Sequence, residues 1–177
     1  MGLAYANLDE TTRRYMLEEI ALDVTNGDLI MGRRLTETGR ARWLALLNEA
    51  AASHNDDWLA AQQKVEGLIK AKETRHLKSG KVVEVDVPIT AAETLADGEF
   101  NRFYIRGLCR RAEDAGIPAL LVYRAKAVEN PRPSSQALIG TMIDAQTLLN
   151  DLRTHQGVEP ALKMPGGPNS GLSVKLS

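Results

Sequence analysis

Residues 100–115 carry a helical pattern that is apolar around most of its circumference, and no other stretch constrains the fold as tightly. Phe100, Phe103, Tyr104, Ile105, Leu108, Cys109, Ala112 and Ala115 leave one ridge for charge, which Arg102, Arg106 and Arg110 occupy at four-residue spacing. A helix so widely apolar has to lie at the centre of a core. Its end is written in Ala115-Gly116-Ile117-Pro118, where glycine supplies a left-handed cap and proline forbids continuation. A strand pattern over residues 119–128 follows directly.

Upstream the period is two. Residues 81–89 alternate Val83, Val85, Val87 and Ile89 with Glu84 and Asp86, as a half-buried strand does, and Pro88 marks a strand end or sheet edge. Strand, helix and strand in this order predict a right-handed parallel crossover, with residues 82–89 and 119–128 in one sheet. Thr90 and Glu93 read as a capping box that opens a short helix, which yields near Asp97-Gly98 to the arginine helix.

The front of the chain reads as three amphipathic helices. The first can start at Asn7, buries Met16, Leu17, Ile20 and Val24, and stops at Asn26-Gly27. The second runs from Thr36 or Thr38 to Ala52, with Trp43, Leu46, Leu47 and Ala50 inward, and the third follows Asp56-Asp57 with Trp58, Ala61, Val65, Leu68 and Ile69 on its stripe. A last helix over residues 144–155 turns Ala145, Leu148, Leu149 and Leu152 inward and stops at Gly157. Beyond it, MPGGPNSG is too rich in Pro and Gly for a regular element, and the closing LSVKL alternates like a strand. The expected class is α+β: a helical region over residues 1–75, a region with a small mixed sheet over 80–160, and an extended C-terminal arm over 161–177.

Composition narrows the functional classes. Twenty-two Lys and Arg against 23 Asp and Glu exert no general pull on nucleic acid or anionic membrane, so any electrostatic role is local. The single Cys109 excludes an intramolecular disulfide and reads as a buried thiol. The N-terminus has no basic region ahead of an apolar run, and the longest apolar run, residues 117–123, is too short to span a bilayer. No signal peptide or membrane contact is expected.

Each candidate site carries two readings. The ridge of Arg102, Arg106 and Arg110 can fork onto carboxylates or phosphates of a partner, or stand as a solvated face paired with nearby acids such as Glu113 and Asp114. Lys70, Lys72, Arg75, Lys78 and Lys81 form the strongest charge asymmetry of the chain and can touch nucleic-acid phosphates, or serve as a basic linker after a helix. Leu172, Val174 and Leu176 give the tail an apolar alternation to bury, either as a frayed end or as an arm on the sheet edge of another subunit. His54, His76 and His155 stand alone, without metal-ligand spacing. Ser134-Ser135 lacks a nucleophile elbow, and PGGPNSG lacks the Lys-Ser/Thr of a phosphate loop. No catalytic residue, metal or cofactor is expected.

EFNRFYIRGLCRRAEDAGI, VYRAK and NPRPSSQALIGT together resemble small uncharacterised proteins encoded in the structural modules of tailed phages and prophages. The resemblance covers roughly residues 80–145 and brings no catalytic residues with it. It implies a non-enzymatic virion structural or assembly protein, such as a head-to-tail adaptor or connector or a head-associated protein, acting in an oligomer. Its expected partners are copies of itself in a ring or shell, portal, capsid or tail proteins, and DNA. Its place is the virion, or the host cytoplasm during assembly. Two rivals stand beside it: a nucleic-acid-associated accessory protein using the Lys70–Lys81 segment, and a small enzyme holding an anionic substrate with Arg102, Arg106 and Arg124.

Overall fold

Asp9 opens the first helix, α1 (Glu10–Asn26), by accepting a hydrogen bond from the Thr12 amide, so the cap lies two residues later than Asn7. Gly27 closes it at φ 74°, where its amide reaches back to Asp23 and Val24. In this computed structural model, which describes residues 1–156, 160–167 and 170–177, α2 (Glu37–Ser53) is capped by Thr36 and α3 (Asp56–Val65) by Asn55. The third helix therefore ends before Leu68 and Ile69. Leu68 is buried all the same, and Ile69 makes an isolated bridge to Leu35 that pins the connection to the start of α2.

The central helix, α4 (Ala91–Asp114), is one uninterrupted element of 24 residues. The expected break at Asp97-Gly98 is absent: Ala96 and Phe100 on either side are fully buried, and their packing outweighs the roughly 1 kcal/mol that Gly98 costs the helix. Thr90 makes no side-chain cap; Glu93, its expected capping partner, pairs with Lys64 of α3 instead. At the far end the Gly116 amide bonds to Glu113 and the Ile117 amide to Ala112, with Gly116 at φ 68°, as the sequence cap requires. All of residues 100–109 are buried, including two arginines.

The strands form two antiparallel sheets. β1 (Lys72–His76) pairs only with β2 (Val82–Asp86) across a tight turn at Gly80, while β3 (Ala119–Arg124) is flanked by β4 (Met142–Asp144) and β5 (Leu172–Lys175). The crossover expected between residues 82–89 and 119–128 is thus not formed, and the sheet is antiparallel rather than mixed. Closing the short β1–β2 connection costs about 1–2 kcal/mol less chain entropy than a pairing across the long helical connection, and both edges of β3 are already taken. The chain is α+β, with a helical N-terminal half. Three small elements had no counterpart in the sequence reading: β1, α5 (Pro133–Leu138) and β4. The last helix, α6 (Ala145–Thr154), is capped by Asp144; the expected stop at Gly157 lies outside the described residues, as do Pro168 and Asn169 of the Pro/Gly segment.

One core runs through the molecule. Helices α1, α3 and α6 pack on α4, and β3 and β5 close another of its sides with Leu120, Val122, Leu172 and Val174. Gly107 lets α1 and α4 approach backbone to backbone: a Cβ there would meet the Met16 amide nitrogen at 2.9 Å. Burial on this scale is the main source of stability, since each fully buried large side chain contributes roughly 1.5–3 kcal/mol.

Candidate functional site

Two of the three ridge arginines, Arg102 and Arg106, are buried, and Arg110 is partly exposed. Arg106 is fully buried, and its guanidinium donates to Glu19 at 2.9 Å and to both oxygens of Asp23 at 2.8 Å. Arg102 donates to Glu99 at 2.7 Å, and Arg110 to Glu19 at 3.2 Å. Arg153 of α6 reaches Glu19 as well. Burial opposes ionisation of Glu19, but the guanidiniums of Arg153 and Arg106 override it and hold the carboxyl below its ordinary range. The reading of an interaction ridge or solvated face is corrected here for Arg106. A charge at 0% exposure can touch no partner, and α1 supplies its counter-ions from a segment whose acids look, in sequence, like surface residues.

Arg102, Arg106 and Arg124 do not converge either. Arg124 donates to the Ser170 carbonyl and the Gln136 side chain, while Arg106 is sealed in the core. Cys109 is buried, and burial pushes its thiol well up, so it is no nucleophile at neutral pH. His54 stacks on Trp58, His155 lies beside Asp151, and His76 sits on the hairpin. Among the described residues no cluster of His, Cys, Asp or Glu could hold a metal ion.

The basic segment is a hairpin and not a linker, because the alternating valines of β2 fold back onto it. Lys72 pairs with Glu84 at 3.0 Å, Glu73 is held by Arg34, and the Lys70 ammonium donates to the Arg33 carbonyl. Arg75, Lys78 and Lys81 make no ion pair among the described residues, and all five cations are exposed.

The tail is corrected as well. Leu172 and Val174, expected on a neighbouring subunit, are fully buried in the chain's own sheet, where β5 pairs with β3 from Arg124↔Leu172 to Leu121↔Lys175. Asn101 of α4 locks it there: its amide donates to the Leu172 carbonyl at 2.8 Å, and the Ser173 hydroxyl donates to its oxygen at 2.7 Å. Leu176 is half-buried, and its amide bonds to Asn7. An extended strand must satisfy its backbone somewhere, and the free edge of β3 is the nearest place.

Segments that stand apart in sequence meet around one cleft of about 630 Å³. Its floor is the first half of α4, with Asp97, Gly98, Asn101 and Arg102; Lys126 follows β3, Arg132 precedes α5, and Gly166, Gly167 and Ser170 come from the Pro/Gly segment. The loop before α2 closes it with Arg33 and Arg34. EFNRF, VYRAK, NPRPSS and the Pro/Gly segment each contribute to this one wall. Lys126 donates to Asp97 at 2.6 Å. Behind that pair lies Asp56, fully buried, accepting from the Leu3 amide at 2.9 Å. Burial first, and the Asp97 carboxylate beside it, push Asp56 up to about 7.

The cleft gathers five cationic side chains, Arg33, Arg34, Arg102, Lys126 and Arg132, against two lining carboxylates, Asp97 and Glu99. Of these only Arg102 was among the residues singled out for a role. Arg33-Arg34 and Arg132 are ordinary loop residues in sequence, and their one visible signal was adjacency to Pro and Gly, which marks loops. The chain matches no family model, no curated protein and no solved structure.

Proposed function

We propose that this chain is a non-enzymatic structural or assembly protein of a tailed-phage particle, working in an oligomer at the head–tail junction or in the shell. The β1–β2 hairpin supports this reading most. It is a two-stranded sheet that, among the described residues, no third strand extends and no helix packs on broadly, and an isolated hairpin is at best marginally stable in water. Its free edges offer backbone donors and acceptors to a neighbour's strand. Apolar side chains stand exposed along it, Leu77 at 42%, Val82 at 52%, and Ile89 just beyond at 92%. An assembly contact gives these groups a place to bury.

The purified full chain tests this beside a variant whose residues 73–85 are replaced by a short Gly-Ser turn. Light scattering and incorporation into particles made with the neighbouring structural genes are the readouts. The reading expects the variant to keep its helical spectrum and lose incorporation. Equal incorporation of both chains sinks it.

A second reading rests on Arg75, Lys78 and Lys81, which project from the hairpin without carboxylate partners among the described residues. A two-stranded ribbon fits the major groove, and such cations give salt-dependent binding. Retention on duplex DNA at about 50 mM salt that is lost near 200 mM, and abolished in the trimmed variant, favours it.

A further inference from the structure

We propose that the cleft over the first half of α4 is a binding site for a phosphate monoester with an apolar body, held by Arg33, Arg132 and Arg102. The inference is independent of the assembly role, since the hairpin meets the cleft through Glu73, which pairs with Arg34, and supplies none of the three proposed ligands.

Three observations carry it. The first is the charge inventory. Arg34 is neutralised by Glu73 and Lys126 by Asp97, whereas Arg33 and Arg132 have no carboxylate within ion-pair distance among the described residues. Both of these guanidiniums are exposed and free to turn onto a ligand, and their charge matches a phosphate monoester, which carries about −1.5 to −2 at neutral pH.

The second is Arg102 itself. Its guanidinium is only 7% exposed; Nη2 donates to Glu99 and Nη1 lies 3.7 Å from the Asp23 carboxylate, yet Nε and Nη1 find no hydrogen-bond acceptor among the described residues. A buried arginine left partly unpaired is costly unless something completes its surroundings.

The third is shape. The backbone of Gly167 lies so near Arg132 that a Cβ there would stand 2.9 Å from Nη1, which leaves the guanidinium seated over the glycine at the cleft wall. A Cβ on Gly98, in contrast, would meet nothing within 4 Å, so the floor is open. Ile30, Leu95, Pro165 and Leu172 give the remaining wall an apolar character. A volume of about 630 Å³ accepts a body the size of a nucleoside, within the range of small-molecule pockets. Guanidinium forks match phosphate oxygens in pairs, which fixes orientation while the apolar wall takes the body. A free nucleotide and a 5′-phosphorylated strand end share this chemistry.

Calorimetry and thermal unfolding of the full chain decide the matter, with adenosine 5′-monophosphate, adenosine, octanoate, and a short oligonucleotide with or without its 5′-phosphate as probes. The monophosphate is expected to bind and raise Tm, adenosine to bind at least 10-fold more weakly, and octanoate not to compete. Arg132→Ala and Arg33→Ala should each weaken the monophosphate at least 10-fold with apo Tm unchanged, because neither side chain has an ion-pair partner to lose. Gly98→Leu should block the site by filling its floor while the apo chain unfolds no earlier. A phosphorylated oligonucleotide that binds more tightly than the mononucleotide assigns the source to a strand end, and the reverse assigns it to a free nucleotide. Absence of phosphate binding at millimolar concentration, octanoate binding in preference, or monophosphate binding untouched by Arg132→Ala and Gly98→Leu each overturns the proposal.

Discussion

Arg106 forks onto Asp23, with Nη1 and Nη2 donating to the two carboxylate oxygens at 2.8 Å each. The fork joins the middle of α4 to the last turns of α1, and Glu19 completes it at Nε. Removing one member leaves an uncompensated charge in the core, which costs about 3–5 kcal/mol. Arg106→Ala should therefore cost about that much in urea unfolding, and Arg106→Lys should recover little of it, because an ammonium cannot rebuild the fork. A loss below about 1 kcal/mol for Arg106→Ala means the network is not holding α1 in place.

Gly107 and Gly98 lie on the same helix and should respond in opposite directions to alanine. At Gly107 the added Cβ meets the Met16 amide nitrogen at 2.9 Å and the Thr12 carbonyl at 3.1 Å, both backbone, so α1 must move away. Overpacking of this kind costs about 1–3 kcal/mol even after the gain in helix propensity. At Gly98 the Cβ enters open space, and propensity alone should stabilise by up to about 1 kcal/mol. Thermal melts of the two variants suffice; equal signs contradict the close contact of α1 with α4.

Deletion of residues 172–177 should unfold the chain, not release a dispensable arm. It strips Leu172 and Val174 from the core and leaves the Asn101 amide and the edge of β3 unpaired. Hydrogen exchange on the isolated chain should find β5 amides protected to the same degree as those of β3. Fast exchange throughout residues 172–175, with the rest protected, contradicts the pairing.

Asp56 sets a pH dependence of its own. Its carboxyl titrates near 7 in the fold against about 3.9 in an unfolded chain, so between these values the folded state holds a proton that the unfolded state has lost. The stability contributed by this group is present below pH 4 and falls as pH rises to about 7, by at most about 1.4 kcal/mol per pH unit. Asp56→Asn should remove that slope. The unfolding free energy of the wild-type chain minus that of the variant should decline from pH 4 to 7 and level off above. A flat difference over this window means that Asp56 is ionised in the fold at neutral pH.

Local pattern alone determined most helices of this protein. The caps at Thr36, Asn55 and Gly116, the apolar stripes of α1, α2 and α6, and the central place of residues 100–115 all follow from interactions within a few residues. Strand partners were a different matter. The period of two identified β2 and β5, and an apolar run after the Gly116 stop identified β3, but which edge each would meet depended on loop lengths and on which edges remained open. The arginine ridge was legible as spacing, yet its burial was decided by Glu19 and Asp23 arriving from more than 80 residues away in sequence. The cleft was hidden for the same reason. Arg33, Arg102, Lys126 and Arg132 share no periodicity, and only the packing of four separate segments over α4 brings their charges to one wall. Helical propensity and capping act over a few residues and can be read along the chain, whereas burial, pairing and the grouping of charge depend on contacts between distant segments that exist only once the chain has folded.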